Sequence, residues 1–457
     1  MGRSFRKLMQ IKSYSLELKK KIKPFNKSIN VDSDKSLSIR SFLIGSVCQD
    51  ISIIKNALES EDVKSSIQSL RKLGVLIKKT NSQTYKVHGK GLGSLYAKKN
   101  LSLNFGNSGT LARLLIGILS TTPDIEVKIQ GDKSLNRRSM KKLIKLMSKF
   151  GAEFLPKNKF NFPLKLVSTE MPICVNYNSD ASAQLKSAVI LAGLNSFGIT
   201  KIIENEKSRD HTENMLVKNP QAIKIKKDKK NIIEIFGKRF LDNFTIKIPG
   251  DPSSAAFFVA LTILSEKSSL KIKNVGLNPR RIGFYEILKK HGAKIKFSNK
   301  RMQNNEIVGD IAIKSGKLKR AIVAPKDFYE KTTDEYPILF CIAALTHGIS
   351  VFKGIEDLAN KESNRVKEMQ KILKQVGIKS KFKDNALRIF GKKEINNKNK
   401  KIYVPNLGDH RICMSSFVLG LLTGAKVKIK NFETIFTSSP NFLKIMKQLG
   451  AKFEIQR

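Results

Sequence analysis

DKSLSIRSFLIGSV, residues 34–47, opens on a charged, polar turn and continues as an almost unbroken run of small and apolar residues. The same layout returns in NSGTLARLLIGIL from Asn107, SAQLKSAVILAGL from Ser182, DPSSAAFFVALTIL from Asp251, DEYPILFCIAAL from Asp334 and DHRICMSSFVLGLL from Asp409. Successive starts lie 73, 75, 69, 83 and 75 residues apart, which marks an internal repeat. A second series follows in step: LRKLG ending at Gly74, MSKFG at Gly151, LKKHG at Gly292, LKQVG at Gly377 and MKQLG at Gly450. Each reads as a helix stopped by a glycine just past its end, often followed by a strand such as AKIKF or AKFEI. The missing member is expected after Met215-Leu216, where Asn219-Pro220 replaces the glycine.

The repeating unit is therefore about 75 residues, with two helices and short strands such as VKIQGD, IKIPGD and IYVPN. Its first helix is apolar nearly all round and should be buried, whereas the second is amphipathic and Lys-rich on one side. Six βαβ-type units of this kind predict an α/β fold with sheets outside and helices inside. Because 457 residues exceed one ordinary core, the chain should divide into two or more domains. GKGLG (89–93) lacks the strand and helix context of a dinucleotide site and reads as a plain loop. The polar turns fall at the N-termini of the buried helices, where unpaired N–H groups and the helix dipole favour anions. If three units make one domain, three such termini can point the same way, and two domains facing each other would focus six on one cleft.

Lys and Arg total 86 against 38 Asp and Glu, a net charge of +48. One reading is nucleic-acid binding. The other is a proteome-wide bias toward Lys, Asn, Ile and Phe, favoured because the lysines are spread along the chain. The one dense run, KIKKDKK (224–230), reads as a solvated turn, and no basic patch is interleaved with aromatic residues. No nucleic-acid partner is expected, but the positive field should attract small anionic substrates. No apolar run approaches the ~20 residues of a membrane span. The basic first residues lack the apolar segment of a signal peptide, and Met9 is an alternative start. Cys48, Cys174, Cys341 and Cys413 are far apart without metal-ligand spacing, so they read as reduced thiols in a cytoplasmic protein with no metal site.

The turns themselves carry a resemblance. Asp34-Lys35-Ser36 with Arg40, GNSGTLARLL from Gly106, GDKSLNRRSM from Gly131, SAQLKSAVILAGL from Ser182 and SRDHTENML from Ser208 match one family in order. GDPSSAAFFV from Gly250, NPRRIGF from Asn278, DEYPI from Asp334, KESNR from Lys361 and GDHR from Gly408 continue it. Over residues 29–440 the chain thus resembles the EPSP (5-enolpyruvylshikimate-3-phosphate) synthase family. The resemblance implies a two-domain inside-out α/β barrel, one domain spanning 34–247 and the other combining 1–33 with 248–457. Hinges would lie near 32–34 and 247–250.

It also implies a reaction in which the C5 hydroxyl of shikimate 3-phosphate attacks C2 of phosphoenolpyruvate, followed by loss of phosphate. No metal or redox cofactor is required, and the enzyme is expected to be a monomer. Each phosphate carries about −1.5 to −2 charges. With two carboxylates the substrates total about −5 to −6, and the matching cations are Lys35, Arg40, Arg138, Arg209, Lys361, Arg365 and Arg411. Arginine grips such groups bidentately. By resemblance, Ser36, Arg40, Ser182, Ala183, Gln184 and Arg209, with Asp334 and Lys361, belong to the shikimate phosphate side. Asn107, Gly109, Arg138, Gln184, Arg365 and Arg411 would hold phosphoenolpyruvate, and Lys35 would touch both. Asp334 would handle the C5 hydroxyl proton and Glu362 the C3 proton, with Lys35 sharing in catalysis. A methyl group at Gly109 would crowd the inhibitor glyphosate.

Other readings compete residue by residue. Asp34, Asn107, Ser182, Asp251, Asp334 and Asp409 could each be helix caps, and Asp251 and Asp409 are read as caps or turns only. His211 and His410 are read as structural. Four departures from the family pattern stand out. They are Asp32-Ser33 in place of Pro-Gly, Asn364 in place of Asp, Thr437 where some members carry a substrate-binding Lys, and Ala183, which matches the subgroup with Ala rather than Ser. The sister enzyme acting on UDP-N-acetylglucosamine typically has Lys-Asn at 35–36 and a loop Cys, neither of which is present here. An RNA-end cyclase on a related repeat fold would need a nucleotidyl-accepting His, and a degenerate paralogue without activity is a further alternative.

Overall fold

A computed structural model describes residues 13–179, 182–227, 230–316, 318–395 and 400–456. The basic start and Met9 lie outside the described residues. The chain divides into two compact units, one of residues 1–32, 249–302 and 307–457, the other of residues 33–248 with 303–306. Each has its own apolar core.

Six apolar helices recur as the spacing predicts: α1 (Lys35–Val47), α2 (Gly109–Thr121), α3 (Ala183–Gly193), α4 (Pro252–Leu264), α5 (Tyr336–Ala344) and α6 (His410–Thr423). Nearly every residue in each is buried. Polar residues survive there because they bond locally. In α1, Ser38 and Ser41 donate to the carbonyls four residues back, both at 2.8 Å. In the second unit α2 packs against α1 and α3; in the first, α4, α5 and α6 pack on one another pairwise. A methyl group at Gly117 of α2 would lie 2.6 Å from the Ala188 carbonyl oxygen of α3, so only glycine permits that crossing. The second helices are present as Glu61–Lys72, Lys141–Lys149, His211–Leu216, Gly283–Lys290, Arg365–Gln375 and Phe442–Gln448. The glycines that end five of them, Gly74, Gly151, Gly292, Gly377 and Gly450, all have positive φ.

Each repeat contributes one four-stranded sheet of the same plan: a parallel pair followed by two antiparallel neighbours. Distant segments complete the outer repeats. Thr245–Lys247 joins Ile51–Lys55 in parallel within the second unit. In the first unit Asn26–Ile29 pairs in parallel with Ser269–Gly276, and Ser15–Leu18 inserts between Lys426–Ile429 and Phe453–Gln456. These pairings explain why the first unit is discontinuous in sequence.

One expectation is corrected. The KIKKDKK run is not a turn throughout. Ile223–Lys227 is a strand antiparallel to Asn231–Phe236, with Ile223 buried, Ile225 half-buried and Lys224 and Lys226 exposed, in the alternation of a half-buried strand. Asp228 and Lys229 lie outside the described residues. GKGLG is a loop as read, and its Lys90 and Gly91 N–H groups cap the carbonyls of Ser46 and Cys48 at the end of α1. A methyl group at Gly89 would meet the Cys48 carbonyl oxygen at 2.2 Å.

Candidate functional site

In the unit of residues 33–248 the candidate residues gather where the three buried helices begin. Asp34, Ser108 and Ser182 cap these helices, accepting from the N–H groups of Leu37, Leu111 and Leu185. Asn107 is therefore not the cap of α2 but the residue before it. Lys35, the first residue of α1, places Nζ 3.1 Å from Asp62 Oδ2 at the start of the Glu61–Lys72 helix. Arg40 is buried one turn further on. Its Nε donates to Thr212 Oγ1 at 2.9 Å, Nη1 to the Ser36 carbonyl at 3.2 Å and Nη2 to Ser187 Oγ at 3.2 Å. A planar cation held on three sides is fixed in direction.

Gln184 on α3 reaches α2 by accepting from Arg113 Nη1 at 2.9 Å and donating to Thr110 Oγ1 at 3.0 Å. Arg138 follows the short Lys133–Arg137 helix, donating to Asn107 Oδ1 and to Ser134 Oγ at 3.3 Å. Gly109 lies between these arginines: a Cβ there would sit 2.7 Å from Arg113 Nη1 and 3.2 Å from Arg138 Nη1. Asn107, Gly109, Arg138 and Gln184 thus form one cluster through Arg113, and Ser187 carries it along α3 to Arg40. Arg209 is half-buried, directly after Ser208, whose N–H and hydroxyl both donate to Glu204.

In the other unit a buried arginine organises the site. Arg365 Nε donates to Asp409 Oδ2 at 2.9 Å, Nη2 donates to Glu362, and Nη1 lies 3.9 Å from Asp334 Oδ1. Burial alone would lower the Arg365 pKa, but Asp409, Glu362 and Asp334 outweigh it and hold the guanidinium firmly protonated. Asp409 also caps α6, accepting from Arg411 N at 2.9 Å and Ile412 N at 3.4 Å, and takes the Ser363 hydroxyl at 2.9 Å. Asp334 is not a cap: α5 starts at Tyr336 behind Glu335. Lys361 pairs with Asp357, its Nζ 2.5 Å from Asp357 Oδ2 and 6.0 Å from the Tyr329 ring centroid.

Arg411 is buried with its guanidinium 6.0 Å from the ring centroid of Phe257, and its Nε and Nη1 have no hydrogen-bond partner among the described residues. Asn364 caps the Arg365–Gln375 helix, accepting from Lys367 N at 3.0 Å. Thr437 Oγ1 donates to the Thr434 carbonyl at 2.8 Å and lies 3.4 Å from His410 Nδ1. His211 Nδ1 is 2.7 Å from Glu306 Oε1.

Three contributors escaped the sequence reading. Asp62 holds Lys35, Arg113 bridges Gly109 and Gln184, and Asp409 orients Arg365 besides capping. Arg113 could have been found from its spacing, one helical turn after Gly109 in α2. Asp62 and the second role of Asp409 depend on contacts across the fold.

Six repeats that bring arginines, lysines and carboxylates to the starts of buried helices define a fold shared with enolpyruvyl transferases. NikO from Streptomyces tendae has this fold at a TM-score of 0.75, with 12% identity over 97% of this chain and 99% of its own. The EPSP synthase of Acinetobacter baumannii superposes with a TM-score of 0.83 at 33% identity, over 97% of this chain and 100% of that one. The 3-phosphoshikimate 1-carboxyvinyltransferase of Zymomonas mobilis is 37% identical over 440 residues, 95% of this chain and 96% of its own length. That of Thermodesulfovibrio yellowstonii is 38% identical over 438 residues, 94% and 98%. The family model for EPSP synthase (3-phosphoshikimate 1-carboxyvinyltransferase) matches residues 19–446, and the chain belongs to that family.

Proposed function

We propose that the chain transfers the enolpyruvyl group of phosphoenolpyruvate to the C5 hydroxyl of shikimate 3-phosphate, releasing phosphate on the route to chorismate and the aromatic amino acids. The reaction is an addition followed by an elimination. The hydroxyl oxygen bonds to C2 of phosphoenolpyruvate and gives up its proton while C3 takes one. The tetrahedral adduct then expels phosphate as C3 returns its proton and the C2–C3 double bond re-forms. One carboxyl group can serve C3 in both halves.

Ser36, Arg40, Ser182, Ala183, Gln184 and Arg209 hold shikimate 3-phosphate, with Asp334 and Lys361 beside it, which makes residues 33–248 chiefly its unit. Arg138, Arg365 and Arg411, with Asn107, Gly109 and Gln184, hold phosphoenolpyruvate. Lys35 meets both substrates. Asp334 takes the C5 hydroxyl proton and Glu362 serves C3. The enzyme works in the cytoplasm as a monomer, a state that sedimentation would measure.

Arg411 carries this reading. A guanidinium buried with Nε and Nη1 unbonded among the described residues costs free energy unless an anion completes its fork. Arg365, paired with Glu362 and Asp409, likewise has Nη1 without a hydrogen bond among the described residues. Incubation with both substrates should yield a new enol ether with its vinyl protons visible by NMR. Its absence with folded protein would refute the proposal.

A further inference from the structure

Lys186 lies on α3 between two site residues, Gln184 and Ser187, yet points into the interior. Its Nζ is 2.6 Å from Glu204 Oε1 and 2.5 Å from Glu213 Oε1, and the three side chains are 0%, 0% and 4% exposed. Glu204 is further held by Ser208 N at 2.8 Å, Ser208 Oγ at 2.9 Å and Asn231 Nδ2 at 2.8 Å. Burying such ions costs several kcal/mol each, and well-packed apolar residues often serve stability as well or better. The triad's value is therefore sought in what it positions.

Its neighbours supply the answer. Ser187, next to Lys186, and Thr212, next to Glu213, both accept hydrogen bonds from Arg40, and Thr212 Oγ1 donates to Ser187 Oγ at 2.8 Å. Ser208, tied to Glu204, immediately precedes Arg209. The ammonium thus draws α3, the end of the Ile199–Glu204 strand and the His211–Leu216 helix to one point. We infer that Lys186 is a positioning residue for shikimate 3-phosphate: by clamping Glu204 and Glu213 it sets segment 208–213, and with it where Arg40 and Arg209 present their guanidinium groups. This rests on the assignment of both arginines to that substrate. None of the triad's contacts given above goes to a residue assigned to phosphoenolpyruvate, so phosphoenolpyruvate binding should be spared.

The test is calorimetric binding of shikimate 3-phosphate, with the KM for phosphoenolpyruvate measured at saturating co-substrate. Lys186→Met should weaken shikimate 3-phosphate binding about tenfold or more and leave the phosphoenolpyruvate KM within about threefold, on the scale of a misplaced charge-assisted hydrogen bond. Lys186→Arg should recover much of the loss. If Lys186→Met does not fold, the charge-free triple variant Lys186→Met, Glu204→Gln, Glu213→Gln replaces it, with the same expected loss. Unchanged binding in a folded variant, or equal weakening toward both substrates, overturns the clamp alone. A wild-type protein that fails to bind shikimate 3-phosphate overturns the proposed function and the clamp with it.

Discussion

Arg365 and Asp409 form a buried ion pair, Nε to Oδ2 at 2.9 Å, in which one carboxylate both caps α6 and aims the arginine. Asp409→Ala would leave the buried guanidinium to Glu362 and the more distant Asp334, beside an uncapped helix. Breaking such a pair costs about 3–5 kcal/mol. Denaturant unfolding should show a loss of that size, with the phosphoenolpyruvate KM raised through Arg365. Wild-type stability in the variant would show that the pair contributes nothing net.

Lys35→Met and Glu362→Gln probe the proton-transfer assignments. Each should lower turnover by about two orders of magnitude or more, the usual contribution of a positioned acid or base. Steady-state kinetics on each variant gives the answer, and near-normal turnover removes that residue from the chemistry.

Gly109 is held small by two arginines. A methyl group 2.7 Å from Arg113 Nη1 and 3.2 Å from Arg138 Nη1 must push one of them aside. Gly109→Ala should raise the phosphoenolpyruvate KM by about tenfold, since small misplacements of binding groups carry large kinetic costs. Glyphosate should compete with phosphoenolpyruvate in the wild-type protein and inhibit the variant less. A wild-type enzyme fully active at high glyphosate would contradict this.

Asp32 gives stability a pH dependence of definite sign. Burial raises its pKa from 3.8 to about 6, despite hydrogen bonds from the Asn441 side chain and N–H. The folded state then holds a proton that the unfolded chain has released, so this residue's contribution falls as pH rises from about 4 to about 6. The full difference is about 3 kcal/mol at about 1.4 kcal/mol per pH unit. Asp32→Asn should flatten that part of the profile, read by urea unfolding at several pH values, and an unchanged slope would rule Asp32 out as its source.

The repeat was legible because period and polarity coincide. An all-apolar helix after a polar turn, then a glycine-terminated amphipathic helix, needs only local rules. Cap register was less so: Asn107 and Asp334 each stand outside the cap position, which only the backbone decides. The strand at Ile223–Lys227 was obscured by its lysines, although alternation with Ile223 and Ile225 was the relevant signal. Lys186 could have been flagged as a charge inside an apolar helix. Its partners Glu204 and Glu213 could not, since they meet it only through tertiary packing.

The most direct measurement follows inorganic phosphate from phosphoenolpyruvate with shikimate 3-phosphate present or withheld. Release at the rate of enol ether formation is expected when both are supplied, and none with either alone. Release without shikimate 3-phosphate, or no release with both in a folded protein, would contradict the proposed function.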